Sequence, residues 1–493
     1  MNFKNLAVER LSEILDLDKN SLEKMLQIPP KPEMGNFAFP CFQLTQIHEK
    51  TPNLIAEEIS NTINKECFEK IENVGPYINF YIDKKIFIKE TIQNILSKGD
   101  FYGRSECNKG KNVCIQTSCS NIIKLSGIES LSLTVISKSL SRIFQSQGYD
   151  VITSCCDKNL ESVMFSEYQE IYKLNNMKFD IYIEECASNK IEEVIEILIQ
   201  NKLLIKSNGA EVVELKKYNM PPFIVKNVDG TYSSYIKLLT CIINQKNIYR
   251  FDKSIHIAEL EQRSYYEQVL KVMGILDKQL SKECKYFELG LVKLFNPRCF
   301  ADENGYINIR SLEKALIQKA FNMMSKLNVY VSNKEEASRI LGIGAVSFFL
   351  IKNCKERQFY FDLEQVMSLE GDTGAYVLYT YFVGNSILCN NELTLAEPEY
   401  SKLYSTEEYE LIKLLDEYIQ SIDMAINKLA PNIIAEYCIQ VSKAFNKFVN
   451  NHEIENIDDE GLKCARLNLV RAACQVIKNS LALIGVDIVE KIR

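Results

Sequence analysis

The sequence predicts an α/β core with a doubly wound parallel sheet, a small α+β domain ahead of it and an all-α helical bundle behind it. Three observations predict this. From Lys111 to about Leu327, short apolar runs suited to strands alternate with helical stretches. The first hundred or so residues mix helical periodicity with an alternating, strand-like run. From about Ser332 the chain reads as almost continuous amphipathic helix. The expected boundaries are 1–107, 108–331 and 332–493.

In the first part, Leu6, Leu11, Ile14 and Leu15 keep helical spacing until the chain turns at Ile28-Pro29-Pro30-Lys31-Pro32. An apolar and aromatic run, Phe37 to Phe42, follows, and Gly75 to Ile82 alternates as a strand does. In the second part, Val113-Cys114-Ile115-Gln116 is a strand, Ser130 to Gln147 a helix and Asp150-Val151-Ile152-Thr153 the next strand. Ligands of such sheets bind at the carboxyl ends of the strands, which makes Gln116 to Asn121 the mouth of a site. In the third part, Gly342 and Gly344 form a Gly-x-Gly with no Lys-Ser/Thr after it, so close helix packing is the expected role rather than a phosphate loop.

Composition narrows the function. With 493 residues, 46% hydrophobic and 25% charged, the chain reads as soluble, globular and divided into several domains. No apolar run is long enough to span a bilayer, and Met1 to Asp16 carries acidic residues where a signal peptide needs an apolar stretch, so a cytoplasmic location is expected. Sixteen cysteines include no Cys-x-x-Cys, and Cys155-Cys156 are adjacent. They read as reduced thiols used as small apolar residues, and no metal site is expected. Three scattered histidines, His48, His256 and His452, argue against histidine-based catalysis. A net charge of -7 lowers the expectation of nucleic-acid binding without excluding a local basic surface.

Specific motifs carry a resemblance. Ser118-Cys119-Ser120-Asn121-Ile122-Ile123-Lys124, then Gly127-Ile128-Glu129-Ser130 and Gly148-Tyr149-Asp150-Val151, resemble the Ser-Ser-Pro-Asn-Ile-Ala-Lys, His-Ile-Gly-His and Gly-Tyr-Asp-Val of arginyl-tRNA synthetases. Pro32 to Pro40 and Pro52 to Ala56 resemble that family's extra N-terminal domain, with Asn36 where Asp is usual. Gly209 to Val213, Val228 to Tyr232, Gly371 to Tyr376, Ala444 to Phe448 and Ala465 to Val470 continue it in order. The Gly-Asp-Trp-Gly-Thr-Gln segment is missing after Cys156, and Met177-Lys178-Phe179-Asp180 arrives early, as though a helical part of the catalytic domain were deleted. The resemblance implies a class I synthetase with a Rossmann-type parallel sheet, an α+β N-terminal domain and a C-terminal helical bundle that binds the anticodon.

The same resemblance shows what has changed. Gly127, Ile128, Glu129 and Ser130 stand at the first ATP signature, with Glu129 in place of the close-packed glycine. At the second, Arg298 keeps a cation, but Asp302 and Glu303 stand where basic residues belong. For arginine recognition, Gln116, Ser234 and Leu238 replace a Glu, a Tyr and an Asp, while Ser118, Asn121, Lys124 and Gln262 complete the substrate pocket. A guanidinium without its carboxylate is poorly held. Asn121, Lys124 and Gln262 fit structural roles better, capping or flanking a helix or lying on the surface, as do Asp372 and Gly374 in a turn between helices.

In the flanking domains, Asn36 and Phe37 on one side and Tyr379, Asn446, Phe448 and Arg466 on the other are the RNA-binding positions the family implies. The expected function is a catalytically impaired synthetase-like protein that binds tRNA or a related RNA in a regulatory or accessory role. The alternatives are an active arginine--tRNA ligase with a divergent site, and a protein-interaction or small-ligand sensor module without an RNA role. No cofactor is expected, ATP and Mg2+ entering only with activity. Neither a membrane nor DNA is an expected partner; a protein is.

Overall fold

The computed structural model describes residues 3–117, 127–156, 180–183, 188–295, 309–326, 333–391 and 396–489. Its chain forms two compact units. One comprises Met1–Tyr102, Asn391–Asp416 and Lys447–Gln475; the other comprises Gly103–Asn390, Glu417–Asn446 and Val476–Arg493.

The first unit opens with helices α1 (Phe3–Ser12) and α2 (Lys19–Met25), strand β1 (Phe37–Pro40), and helices α3 (Thr45–His48) and α4 (Pro52–Thr62). Strands β2 (Phe68–Val74) and β3 (Tyr77–Ile82) and helix α5 (Lys84–Lys98) follow. The strands form an antiparallel sheet in the order β1-β3-β2. Its buried residues, Phe39, Ile71, Ile78 and Phe80, pack against Leu11, Leu22, Ile55 and Ile59 from the helices. Gly35 leads into β1 at φ +94°, where a Cβ would lie 2.8 Å from the Phe80 carbonyl oxygen, so the close approach requires glycine.

In the second unit, β4 (Asn112–Thr117), α6 (Gly127–Ser146), β5 (Asp150–Cys156) and β6 (Ile181–Ile183) begin the parallel sheet. Next come α7 (Ser188–Gln200), a small antiparallel sheet of β7 (Leu204–Ser207), β8 (Ala210–Val213) and β9 (Phe223–Lys226), and then α8 (Ser234–Tyr249). Strand β10 (Lys253–Glu259), helices α9 (Arg263–Leu276) and α10 (Lys278–Glu283), and strand β11 (Cys284–Leu289) complete the main sheet, ordered β11-β10-β4-β5-β6. Both its faces are covered. Val113, Ile115, Ile255, Ile257 and Phe287 pack with Leu133, Ile136 and Phe144 of α6. On the other face, Cys114 and Cys284 join a cluster with Ile195, Leu239, Val269 and Met273. Period-two alternation along each strand therefore decides which side chain meets which helix layer.

The remaining elements are β12 (Leu291–Leu294), α11 (Ile309–Lys326), α12 (Lys334–Lys352), β13 (Gln358–Phe361), α13 (Leu363–Val366) and α14 (Gly374–Asn390). Helices α15 (Thr406–Asp416), α16 (Tyr418–Lys428), α17 (Asn432–Asn451) and α18 (Glu460–Leu483) follow. The reading of almost continuous helix after Ser332 needs one correction. Strand β13 interrupts it, pairing parallel with β12, because Gln358-Phe359-Tyr360-Phe361 alternates exposed and buried at period two. Gly342 and Gly344 are packing residues. A Cβ on Gly342 would sit 2.9 Å from the Leu316 backbone in α11, and one on Gly344 would sit 3.0 Å from the Leu378 side chain in α14.

Several cysteines are simply core: Cys41, Cys114, Cys284, Cys354, Cys438 and Cys474 are buried and unbridged. Burial pushes the Cys41 thiol up to about 12. No helix of the described residues is long and apolar enough to cross a membrane.

Candidate functional site

The carboxyl ends of β4, β5, β10 and β11 lie side by side, and the register puts one residue of each opposite the next. His256 of β10 faces Gln116 of β4 and Tyr286 of β11, and Gln116 in turn faces Ser154 of β5. Alternation turns these side chains away from α6, toward α8 and α9. Gln116 and His256 are each only 1% exposed. Burial lowers the His256 imidazole to about 4, so it is neutral near pH 7, with Nε2 3.1 Å from Ser254 Oγ.

Aromatic rings cover this row. Tyr266 of α9 stacks on Tyr286 with ring centres 4.8 Å apart and lies 5.8 Å from the His256 ring. Tyr265, Tyr235 and Phe223 continue the series edge to face. Tyr266 is 1% exposed, so its ring fills space over the sheet. Leu238 packs on the apolar cluster beneath α8, whereas Ser234 begins α8 exposed, its carbonyl accepting from the Tyr265 hydroxyl at 2.7 Å. Gln262 is the residue before the first turn of α9 and is partly buried.

The rim is acidic. Gly127, Ile128, Glu129 and Ser130 form the first turn of α6, with Ile128 and Ser130 buried and Glu129 partly exposed. Glu259 ends β10, and its carboxyl is raised to about 7 by burial first and then by the charges of Glu129 and Glu261. Glu288 of β11 stands in register with Ala258. Arg263 is the cation here, donating to Glu267 at 2.9 Å and lying 3.6 Å from Glu288. Three carboxylates, Glu129, Glu259 and Glu261, thus oppose one another at this rim, while the guanidinium of Arg263 is held by Glu267 and Glu288. Among the described residues, no group of three or more His, Cys, Asp or Glu is close enough to hold a metal ion.

Ser118, Asn121, Lys124 and Arg298 lie outside the described residues. Of the expected site positions within them, Gln116 belongs to the row, Leu238 packs on the apolar cluster, Gln262 precedes α9, Ser234 opens α8 against Tyr265, and Gly127 to Ser130 form the first turn of α6. Glu259, Glu288, Tyr266 and Tyr286 were not expected. The one signal for them was the Glu259-Leu260-Glu261 run directly after a strand-like stretch.

The positions expected to touch RNA have varied surroundings. Asn36 is exposed, its Oδ1 accepting from the Ile82 amide at 2.9 Å, and Phe37 is partly buried in β1. Tyr379 is partly exposed and stacked on Phe382, with ring centres 6.3 Å apart. Asn446 donates to the Tyr376 hydroxyl at 2.8 Å and to Thr380 Oγ1 at 2.9 Å, tying α17 to α14. Phe448 is fully buried against His452. The Phe448 ring, a family-implied RNA position, therefore has no face open to a base. Arg466 donates to Glu408 at 2.8 Å and to the Glu453 carbonyl at 2.9 Å, so its guanidinium is engaged within the protein. Asp372, expected in a turn, pairs with Lys443 at 2.5 Å just before α14.

Comparison with known proteins matches the same architecture. Residues 1–82 match the arginyl tRNA synthetase N-terminal domain, 155–363 the class I (R) tRNA synthetase catalytic domain, and 377–492 the DALR anticodon binding domain. The catalytic-domain match begins only beyond α6, the helix that carries the altered signature. Arginine--tRNA ligase of Clostridium acetobutylicum is 38% identical, and that of Clostridium botulinum (strain Alaska E43 / Type E3) 35%, each over all of both chains. Those alignments span 562 positions against 493 residues, so the relatives hold segments without counterpart here. Thermus thermophilus arginyl-tRNA synthetase superposes with a TM-score of 0.75 at 17% identity, covering 98% of this chain and 99% of that one. The Plasmodium falciparum enzyme gives 0.70 at 14%, covering 96% and 97%. With N-terminal, catalytic and anticodon-binding regions all matched and full-length relatives above 30% identity, this chain belongs to the arginyl-tRNA synthetase family.

Proposed function

We propose that this protein binds tRNA in an accessory or regulatory role and is impaired as an arginine--tRNA ligase. The observation that carries the reading is the acidic rim. Glu259 holds its proton up to about pH 7 because burial and the neighbouring carboxylates Glu129 and Glu261 disfavour a further negative charge there. Activation of an amino acid requires the opposite, donors and cations directed at phosphate oxygens. Each absent transition-state donor typically lowers the rate about 10²- to 10³-fold. The pocket side adds a second obstacle. Leu238 supplies no carboxylate where the family pattern implies one, and a buried guanidinium without its carboxylate is costly. The tRNA part of the reading is supported by the matched anticodon-binding domain.

An active ligase is the second reading, favoured by the unbroken similarity to arginine--tRNA ligases over the whole chain. One preparation separates the two. Arginine-dependent pyrophosphate exchange and aminoacylation are measured beside filter binding of tRNA. Binding with background exchange is the expected result. Exchange well above a no-enzyme control overturns the impairment, and absence of tRNA binding at low salt overturns the RNA role.

A further inference from the structure

A second surface of the Rossmann unit has the features of a phosphate-binding groove. The turn between β8 and β9 is a tight 3-10 helix, Lys216–Tyr218, closed by Asn219 at φ +56°. Asn accepts that left-handed conformation more readily than most residues. The turn projects Tyr218 over α9, where Lys271 places its ammonium 4.1 Å from the centre of the Tyr218 ring. Lys217 lies 5.0 Å from the same ring. Beside them runs an open groove of about 350 Å³, floored by Leu270, Gly274 and Ile275 of α9 and walled by Met220 and Ser281. That volume is within the range of small-ligand sites.

The groove joins two such cations to one ring beside open space. Some surface lysines elsewhere meet carboxylates, as in Lys50–Glu58, Lys402–Asp459 and Lys447–Glu410. Lys217 and Lys271 have no carboxylate partner among the described residues; a shared aromatic ring is their contact. The acidic residue in the lining, Glu267, is held by Arg263 at 2.9 Å. Two ammonium groups aligned on one ring beside an open groove fit the spaced negative charges of a sugar–phosphate strand. An acidic polypeptide would match the charge but not the aromatic surface.

We propose that this groove holds the backbone of an RNA strand, with Lys217 and Lys271 contacting its phosphates beside Tyr218. The inference rests on the tRNA-binding reading and adds the surface used by the second unit. The test is filter binding of unfractionated bacterial tRNA to the full-length protein across a salt series. It compares the wild type, Lys217→Gln/Lys271→Gln, and Lys206→Gln/Lys285→Gln as an equal charge change elsewhere. The groove pair is expected to lower affinity roughly tenfold and to reduce the slope of log K against log salt by about 1.5. The other pair should change both far less. If the groove pair binds as the wild type does, or the two pairs lose affinity equally, the groove is not the site and the tRNA-binding reading stands. If polyglutamate binds the wild type as tightly as tRNA, the groove senses charge alone and the proposal falls. If the wild type itself binds no tRNA, both readings fall together.

Discussion

Glu408 in the first unit and Glu259 in the second are both withdrawn from solvent, yet they keep opposite company. Glu408, its side chain 1% exposed, accepts from Arg466 at 2.8 Å and from the Ser405 amide at 3.0 Å. Glu259 meets the carboxylates of Glu129 and Glu261. Burial costs a charge its hydration in both places, but only at Glu408 do a counter-ion and hydrogen bonds compensate. The contrast teaches where this chain has kept its electrostatics in order. Charge is matched where helices are held together, and it is opposed at the acidic rim of the parallel sheet.

The most forceful way to break the comparison is to remove the counter-ion. Arg466→Ala strands Glu408 in the protein and frees the Glu453 carbonyl and the His452 ring, so a loss of about 3–4 kcal/mol is expected in urea unfolding. Arg466→Ala should therefore weaken RNA binding only as far as it unfolds the protein. A variant that folds normally and loses RNA would instead make Arg466 a direct contact.

At Glu259 the sign reverses. The folded carboxyl titrates at about 7 against an ordinary 4.5, so between those values the folded chain holds the extra proton and stability falls as pH rises. Below about 4.5 the group is protonated in both states and costs nothing. Glu259→Gln should therefore stabilise by about 1–2 kcal/mol at pH 8, the full shift being discounted for partial exposure, and by almost nothing at pH 4. Unfolding curves at the two pH values measure it. Equal effects at both would mean that the gain is packing and not charge.

Much of the scaffold behind this contrast was legible in the sequence. Strand β4, helix α6 and strand β5 fall within a few residues of the stretches that periodicity marks, and Gly342 packs as its spacing implied. Local patterns suffice there because one strand or helix face decides burial. The rim was only half legible. Glu129 stood out by replacing a glycine in a known motif, but Glu259, Glu288, Tyr266 and Tyr286 come from distant stretches of chain, and only register brings them together. Strand β13 was missed because its four residues lie between helices and pair with β12, more than sixty positions earlier. Phe448 and Arg466 were read through the family pattern, and that pattern does not distinguish a ring or guanidinium facing RNA from one facing the core.

Lys138 sharpens the comparison with the smallest net effect. It sits in the same helix as Glu129 but about two and a half turns on, where its ammonium donates to the Gly485 carbonyl at 2.9 Å, just past the end of α18, and Arg142 donates to the Ala482 carbonyl at 2.9 Å, within that end. Cations are favourable beside the carbonyls that end a helix. Burial, aided by Arg142, still lowers the Lys138 ammonium to about 8, with Asp487 acting in the opposite sense. Between pH 8 and its ordinary 10.5 the unfolded chain holds the additional proton, so stability rises with pH through that window, while below 8 the cost of burying the charge is constant. Lys138→Met gives up the hydrogen bond and relieves that cost together, and the two offset to within about 1 kcal/mol at pH 7. What it should abolish is the slope between pH 8 and 10. If unfolding of Lys138→Met keeps that slope, another group is titrating; if the substitution costs several kcal/mol at pH 7, the ammonium is matched as fully as Glu408, and only the rim of the sheet sets charge against itself.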